Sequence, residues 1–271
     1  MLQIYYKNVT EMGNSMNLYE AIYERRSIRS YVMEALEEEL LQEIQNYFYE
    51  IEPLYSDIRS EVRIIRHYTD KEKVGVFCNV KAPYYMALYA EDKERRELNA
   101  GYLMQHMSLY LESKGLGSCF IGMAKKSDKE LAREGLSCKI LLAFGISKNS
   151  GRKSGKETHR LSMDELCIYK EQPKTWVKSI LETARLSPSS MNCQPWRFVV
   201  YENRIHVFSR KNLKEKGMLS RLQAVNFGIM LANVMVTAEE LWVDLDLIKL
   251  NNITHKNIPN NQYVISILLK P

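Results

Sequence analysis

Three arginines and a serine stand within residues 25–29, RRSIR, which we call the arginine corner. Guanidinium groups form charge-assisted, often bidentate hydrogen bonds to phosphate oxygens, and a neighbouring hydroxyl adds one more donor. The residue types suit a small ligand that carries a phosphate. From these residues alone, however, a solvated basic turn that pairs with the acidic run at residues 34–39 is favoured.

A second group of polar residues lies in residues 184–199, ARLSPSSMNCQPWRFV. Pro188 restricts the backbone, and Ser189, Ser190 and Asn192 are residues that form turns through side-chain hydrogen bonds. We call residues 188–192 the proline–serine turn; its polar groups can hold the edge of a flat heteroaromatic ring. From these residues alone, a well-made turn beside which Trp196 fills the core is favoured.

The elements that position the arginine corner are predicted from capping and periodicity. Asn17 with Glu20 predicts a helix through LYEAIYERR, and an amphipathic helix in EALEEELLQEIQNYFYEI ends before Pro53. EVRIIRHY and YYMALYA are predicted strands, followed by a long buried helix at about residues 93–114 that stops at Gly115. A short strand in CFIGM, a capped helix in KSDKELAREG, a strand in CKILLAFGI and a loop in SKNSGRKSGKETHR follow.

The second half of the sequence repeats this order. It has a helix in TWVKSILETARL, strands in RFVVY and IHVFS, a long helix at residues 219–241 and a last strand in YVISILL. Three residue pairs of the long helices share one offset, 228 − 101 = 127: Asn99 with Asn226, Gly101 with Gly228, and Glu112 with Glu239. Because the flanking elements correspond too, an internal duplication is favoured over a chance likeness of two helices.

Composition narrows the class of protein. The chain of 271 residues is 45% hydrophobic and 26% charged, as globular proteins are. Lys and Arg exceed Asp and Glu by 38 − 33 = 5, with no basic stripe, so no nucleic-acid partner is expected. Five cysteines without a CxxC pair favour reduced thiols in the cytoplasm. The sequence has no long apolar run, so neither secretion nor a membrane span is expected.

Other familiar signatures fail on spacing. Residues 115–117 begin like a dinucleotide fingerprint, but position 120 is Phe and the segment follows a helix. GRKSGKET lacks the glycine spacing and the final hydroxyl of a phosphate-binding P-loop. No histidine lies at metal-ligand spacing from another histidine or a cysteine, so no metal site is predicted.

Together, RRSIR and PSSMNCQPW resemble the nitroreductase family, whose N-terminal helix ends in an RRSxR-type signature and whose next helix ends in a PSxxNxQPW-type turn. The resemblance covers most of the chain from about Asn17. It implies an α+β nitroreductase-like fold, which in the family is a homodimer with two FMN molecules at the subunit interface. Here it implies two tandem pseudo-symmetric halves, each with a mixed or antiparallel sheet flanked by helices.

The resemblance also assigns the cofactor-binding residues. The phosphate of FMN would be held by Arg25, Arg26, Ser27 and Arg29, and approached by Arg160 and Lys156 of the late loop. The isoalloxazine ring would be approached by Ile121, Gly122, Pro188, Ser189, Ser190 and Asn192. No catalytic side chain is predicted, because the cofactor performs the chemistry.

The two halves depart from the family pattern in opposite ways. The first half (residues 17–165, after a flexible extension at 1–16) keeps RRSIR but lacks the turn, and the second half (residues 166–271) keeps the turn but opens with EQPKTWVKSIL. The resemblance thus implies a monomer that mimics the dimer and keeps one FMN site. The predicted function is transfer of electrons from NAD(P)H through FMN to a nitroaromatic or quinone. An FMN-binding protein with little turnover and a structural relic without FMN are the alternatives.

Overall fold

The computed structural model describes residues 16–70, 74, 80–124, 126–148, 159–210, 218–256, 258 and 262–270. They form two compact units. The first comprises the described parts of Met1–Glu52, Ser56–Asp92 and His106–Glu157, and the second those of Pro53–Tyr55, Lys93–Gln105 and Thr158–Pro271. The predicted extension at residues 1–16 lies, except for Met16, outside the described residues.

The first helix, α1, spans Leu18–Glu24 and begins as the sequence predicts. The Asn17 side chain accepts a hydrogen bond from the Glu20 N–H at 2.8 Å, and the Glu20 carboxylate accepts one from the Asn17 N–H at 3.0 Å. This reciprocal pair is a capping box, which satisfies two backbone donors at the helix start. The helix ends before the arginines, so the predicted helix through LYEAIYERR is two residues too long.

The first unit holds a four-stranded antiparallel sheet in the order β1-β2-β4-β3. Its strands are β1 (Ser60–Arg66), β2 (Tyr84–Glu91), β3 (Gly117–Ile121) and β4 (Leu136–Gly145). Strand β2 is buried along almost its whole length, so it forms the centre of the core. Three helices accompany the sheet: α2 (Glu38–Glu50), the short α3 (His67–Asp70) that replaces the end of the predicted strand EVRIIRHY, and α5 (Lys129–Arg133), capped by Asp128.

The long helix α4 spans Arg96–Ser113 and ends at the predicted glycine. Gly115 has φ +74°, a left-handed conformation that glycine adopts without steric cost. The Gly115 N–H donates to the Glu112 carbonyl at 2.9 Å, and the Leu116 N–H donates to the Leu111 carbonyl at 2.8 Å. These two bonds form a Schellman cap, which satisfies the last carbonyls of the helix.

The second unit holds a five-stranded mixed sheet in the order β5-β6-β7-β9-β8, in which only β5 and β6 pair in parallel. Its strands are β5 (Cys167–Tyr169), β6 (Trp196–Val200), β7 (Arg204–Ser209), β8 (Leu245–Ile248) and β9 (Gln262–Leu269). Its further helices are α6 (Met163–Leu166), α7 (Thr175–Leu186) and α8 (Met218–Glu240). The sequence does not predict β5, β8 or α6, which are only three or four residues long.

Within the second unit, α8 crosses the part of α4 that belongs to this unit at two glycines. A Cβ atom on Gly101 would lie 2.1 Å from the Val225 carbonyl oxygen, and one on Gly228 would lie 1.9 Å from the Leu98 carbonyl oxygen. The helix backbones therefore approach more closely than any side chain permits. The contacts are reciprocal at one offset, since 225 − 98 = 127 and 228 − 101 = 127.

One described segment, Arg221–Glu240 of α8, is long and apolar enough to cross a membrane by length and composition. Most of this segment is buried inside the protein. Burial in the core accounts for its composition, so the segment is no evidence of a membrane span.

Candidate functional site

The arginine corner follows α1 directly and is fixed to strand β3. Ser27 and Ser118 form a parallel β-bridge, and the Ile28 N–H donates to the Ser118 carbonyl at 2.9 Å. Gly117 makes this approach possible, because a Cβ atom there would lie 2.6 Å from Cγ1 of Ile28. The sheet of the first unit thus holds the backbone of the corner in place.

Arg25 lies inside the corner, with 5% of its surface exposed. Its Nη1 donates to Ser108 Oγ at 3.4 Å, and Ser108 Oγ is 2.8 Å from Ser118 Oγ. Burial lowers the pKa of the Arg25 guanidinium, and the buried carboxylate of Glu112 acts against this shift. A buried charge needs such compensation, so Arg25 supports the corner from within.

The outer residues of the corner fit a phosphate group. Arg26 and Ser27 are half-buried and Arg29 is exposed. Nε of Arg26 is buried and has no hydrogen-bond partner among the residues that the structure describes. An unpaired buried donor costs about 1–3 kcal/mol, which an anionic oxygen would offset. The corner therefore holds a buried donor without a partner on Arg26 and an exposed guanidinium on Arg29.

The predicted residues Ile121 and Gly122 lie at the end of β3, the strand that carries the corner. Ile121 is buried and Gly122 is half-buried. The structure thus places Ile121 in, and Gly122 directly after, the strand to which Ser27 of the arginine corner is bridged.

The late-loop residues have different outcomes. Lys156 lies outside the described residues. Arg160 belongs to the second unit, where its Nη1 donates to Asn192 Oδ1 at 2.9 Å and its Nε and Nη2 donate to the Leu186 carbonyl at 3.3 and 3.1 Å. The structure therefore brings Arg160 to the proline–serine turn, and its role at a phosphate stays a prediction.

The proline–serine turn has an unusual backbone. Met191, Asn192 and Gln194 have φ values of 51°, 53° and 42°, in the left-handed region that favours glycine. A residue other than glycine costs about 1–2 kcal/mol of conformational free energy in this region, so the surrounding structure must hold it in place. The Met191 side chain is 86% exposed, so its own burial does not stabilise this conformation.

Side chains of the turn and its flanks supply that support. Ser189 Oγ accepts a hydrogen bond from the Gln194 N–H at 3.0 Å, and Gln194 Oε1 accepts one from the Leu161 N–H at 2.8 Å. Nδ2 of Asn192 donates to the His159 carbonyl at 2.8 Å. The predicted ligands Ser189 and Asn192 thus also fix the shape of the turn.

Several residues that shape the two regions escape the sequence-based prediction. They are Ser108, Glu112 and Ser118 around Arg25, and Asn226 of α8, which bonds Ser190. Asn226 had a signal, its alignment with Asn99, but that signal does not reveal a partner. The serines stand far along the chain from the corner, and no local pattern marks them.

Among the described residues, no group of three or more His, Cys, Asp or Glu side chains is arranged to hold a metal ion. The described cysteines are free thiols: Cys119, Cys138, Cys167 and Cys193. The polar chemistry described above therefore rests on guanidinium, hydroxyl, amide and backbone groups.

Comparison with known proteins gives a family for the chain. A family model described as "Putative TM nitroreductase" matches residues 17–238, most of the sequence. A "Putative NAD(P)H nitroreductase" of Staphylococcus haemolyticus is 46% identical over 72 residues, which are 24% of this chain and 30% of that protein. A protein of the same description from Staphylococcus saprophyticus is 35% identical over 82 residues, 30% of this chain and 37% of the other. The matches span about a third of the length of these relatives.

A solved structure shows the fold. The crystal structure of a putative nitroreductase from Thermotoga maritima superposes with a TM-score of 0.65 at 17% sequence identity, covering 96% of this chain and 95% of the other. At this identity the likeness concerns the fold alone. The prediction of an α+β nitroreductase-like fold is confirmed.

Proposed function

Because the chain belongs to the nitroreductase family described as Putative TM nitroreductase, we propose that it is an FMN-dependent oxidoreductase. It takes electrons from NAD(P)H and passes them to a small acceptor such as a nitroaromatic or a quinone. The observation that carries the proposal is the arginine corner, where an unused buried donor of Arg26 lies on a fixed backbone. Bound FMN would supply the redox chemistry, and the chain binds and orients it.

In this proposal the arginine corner holds the phosphate of FMN. Arg26 and Arg29 donate to its oxygens, and the Ser27 hydroxyl adds a neutral donor. Arg25 does not need to reach the ligand, since its guanidinium is buried against Ser108 and its charge faces Glu112. Its contribution is a positive charge below the corner.

The resemblance further assigns the isoalloxazine ring to the proline–serine turn and to Ile121 and Gly122. The left-handed backbone at Met191 and Asn192 supports this assignment, because strain of this kind concentrates at ligand sites. Arg160 serves the turn through Asn192, and a second contact of Arg160 with the phosphate remains part of the proposal.

The proposal includes an internal duplication, so that one cytoplasmic chain does the work of two subunits. The reciprocal contacts of Gly101 and Gly228 support it, because a pair of identical subunits related by a two-fold axis meets in the same way. The consequence is a monomer with one FMN per chain. Light scattering should give a mass near the 31.7 kDa of one chain, and a value twice as large would contradict this part.

The test of the phosphate site is an FMN titration followed by flavin fluorescence. Replacing both Arg26 and Arg29 by Ala should weaken binding about 100-fold or more, since two charge-assisted hydrogen bonds of about 1.5–3 kcal/mol each are lost. Arg133→Ala, which removes an exposed arginine of α5, is the matched control and should leave the dissociation constant unchanged. Equal affinities in all three proteins would overturn the assignment.

Anaerobic reduction separates an enzyme from a passive binder. The FMN-loaded chain should bleach when NADH or NADPH is added and regain its colour when a quinone or nitroaromatic follows. A chain that binds FMN but does not bleach with either nucleotide is a flavin-binding protein without this activity. A chain that binds no FMN leaves the structural relic.

A further inference from the structure

Asn226 ties helix α8 to the proline–serine turn with both ends of its side-chain amide. Its Oδ1 accepts from the Ser190 N–H at 3.0 Å, and its Nδ2 donates to Ser190 Oγ at 3.0 Å and lies 3.6 Å from Cys193 Sγ. The residue is 2% exposed. One buried amide therefore contacts the turn on both sides of Met191 and Asn192.

Those two residues have left-handed backbones, which relax unless neighbouring groups hold them. Asn226 lies on a helix whose backbone is fixed at Gly228, two residues further along. A short, buried side chain on such a helix loses little freedom when it bonds, so it transfers the rigidity of the helix to the turn. The other supports, from Arg160 and Gln194, come from non-helical segments.

Helix α4 holds a counterpart of Asn226. Asn99 of α4, 127 residues before Asn226, accepts a hydrogen bond at Oδ1 from the Tyr55 N–H at 3.2 Å. Tyr55 lies two residues after Pro53, as Ser190 lies two residues after Pro188. Both asparagines therefore accept from the backbone of a Pro-x-x segment in the same way.

The counterpart lacks the second bond. Nδ2 of Asn99 is buried and has no hydrogen-bond partner within the described parts of the chain. The reason is visible in the partner residue, because tyrosine has no hydroxyl on Cβ where Ser190 has its Oγ. The Tyr55 ring instead lies under the guanidinium of Arg95, 5.2 Å from it.

We propose that Asn226 is a positioning residue for the FMN ring and that Asn99, its counterpart, positions no cofactor. The inference rests on the proposed function. Asn226 holds Ser190 and its neighbours in the one backbone shape that contacts the flavin. Asn99 keeps the structural half of the same interaction, a single bond to the backbone at Tyr55.

The experiment compares Asn226→Leu with Asn99→Leu in the full chain. Each substitution removes a buried amide of the same size from the same place on a long helix, so both should lower the melting temperature of the FMN-free protein. Asn226→Leu should also weaken FMN binding about tenfold, because two hydrogen bonds to the turn are lost, whereas Asn99→Leu should stay within about twofold of wild type.

The second readout is the visible circular dichroism of the FMN-saturated chain, which reports how the ring is held. We expect it to change in Asn226→Leu and to stay as in wild type in Asn99→Leu. Ser190→Ala removes only the Oγ and gives Asn226 the single bond that Asn99 has now. It should weaken FMN binding about threefold with a smaller change in dichroism, and it tests the inference if Asn226→Leu does not fold.

The outcomes separate the two levels of argument. If both leucine variants weaken FMN binding equally, or if neither Asn226→Leu nor Ser190→Ala alters affinity and dichroism, Asn226 is structural only and the inference is wrong. A wild-type chain that binds no FMN overturns the proposed function and the inference with it. A wild-type chain that binds FMN, with the asymmetry between the two asparagines, supports both.

Discussion

Helices α4 and α8 are alike where they pack and different where chemistry is proposed. Each has a glycine against the other's backbone, an asparagine that accepts from a backbone N–H, and the same cap at its end. In the second cap, the Trp242 N–H donates to the Glu239 carbonyl at 3.1 Å and the Val243 N–H to the Ala238 carbonyl at 3.0 Å. These bonds repeat those of Gly115 and Leu116, 127 residues earlier.

The differences follow the arginine corner. Glu112 of α4 is buried and compensates the buried charge of Arg25, whereas the corresponding Glu239 of α8 is exposed. No arginine occurs in EQPKTWVKSIL, the segment that opens the second half. A carboxylate is costly to bury without a partner. The two helices are thus alike where their backbones pack, and they differ where Glu112 of α4 faces a buried charge.

The largest loss of stability is expected from substitutions that disrupt the crossing of α4 and α8. Gly101→Ala or Gly228→Ala places a Cβ atom about 2 Å from a carbonyl oxygen of the other helix, and backbone atoms cannot yield as a side-chain tip does. Each should lower the free energy of unfolding by about 3 kcal/mol or more, as measured by urea titration. Similar losses at both glycines would support equivalent roles.

The control for this pair is Gly115→Ala. No atom lies within 4 Å of a Cβ built on Gly115, so only its left-handed backbone, φ +74°, opposes the change. The loss should be about 1 kcal/mol. If Gly101→Ala lowers the free energy of unfolding no more than this control does, the two helices do not approach as closely as described.

A smaller effect concerns His106 of α4, whose counterpart on α8 is Asn233. Burial lowers the pKa of His106 from 6.5 to about 4. The folded chain then binds a proton less readily than the unfolded chain, so His106 leaves stability intact above pH 6.5 and reduces it as the pH falls toward 4. Between pH 7 and pH 5 the loss should be roughly 2 kcal/mol.

His106→Asn gives α4 the asparagine that α8 has at the corresponding position, and it removes this titration. Urea titrations at several pH values should show a flatter profile for the variant than for wild type between pH 6.5 and 4. Parallel profiles would mean that His106 is protonated equally well in the folded chain.

The smallest effect is expected when Trp242 of the second cap is replaced by the glycine that the first cap has. Trp242 has φ 54° and is 96% exposed, so it bears the strain of a left-handed residue and gains little from burial. Trp242→Gly should raise the free energy of unfolding by about 0.5–1 kcal/mol, measured as a shift in thermal midpoint. A loss of stability instead would show that the exposed ring makes a favourable contact.

The sequence predicts the parts of the fold that depend on local patterns. The capping box at Asn17, the end of α4 at Gly115 and the α5 cap at Asp128 all follow from residue type and spacing. The glycine pair 101 and 228 is also visible in the sequence, although its packing role is not. Short elements such as β5 and β8 lack enough residues to form a pattern, since they depend on pairing with distant strands.

The candidate site is predicted less completely, for the same physical reason. RRSIR and PSSMN mark the two regions, but Ser108, Ser118 and Glu112 reach Arg25 only through the fold. The left-handed residues of the turn are Met191, Asn192 and Gln194, and only asparagine is a residue type that adopts this conformation often, so the sequence does not mark the other two. The role of Arg160 at the turn likewise depends on where α7 ends.

The proposed internal duplication would have an evolutionary consequence. In a homodimer one gene encodes both subunits, so every substitution is made twice and a residue cannot serve one purpose in one copy and another in its mate. Here Tyr55 and Ser190, which occupy matching places in a single sequence, are different residues. A duplicated chain can lose an activity at one position and keep it at the other. Natural selection can therefore act on the two positions separately, which it cannot do in a homodimer.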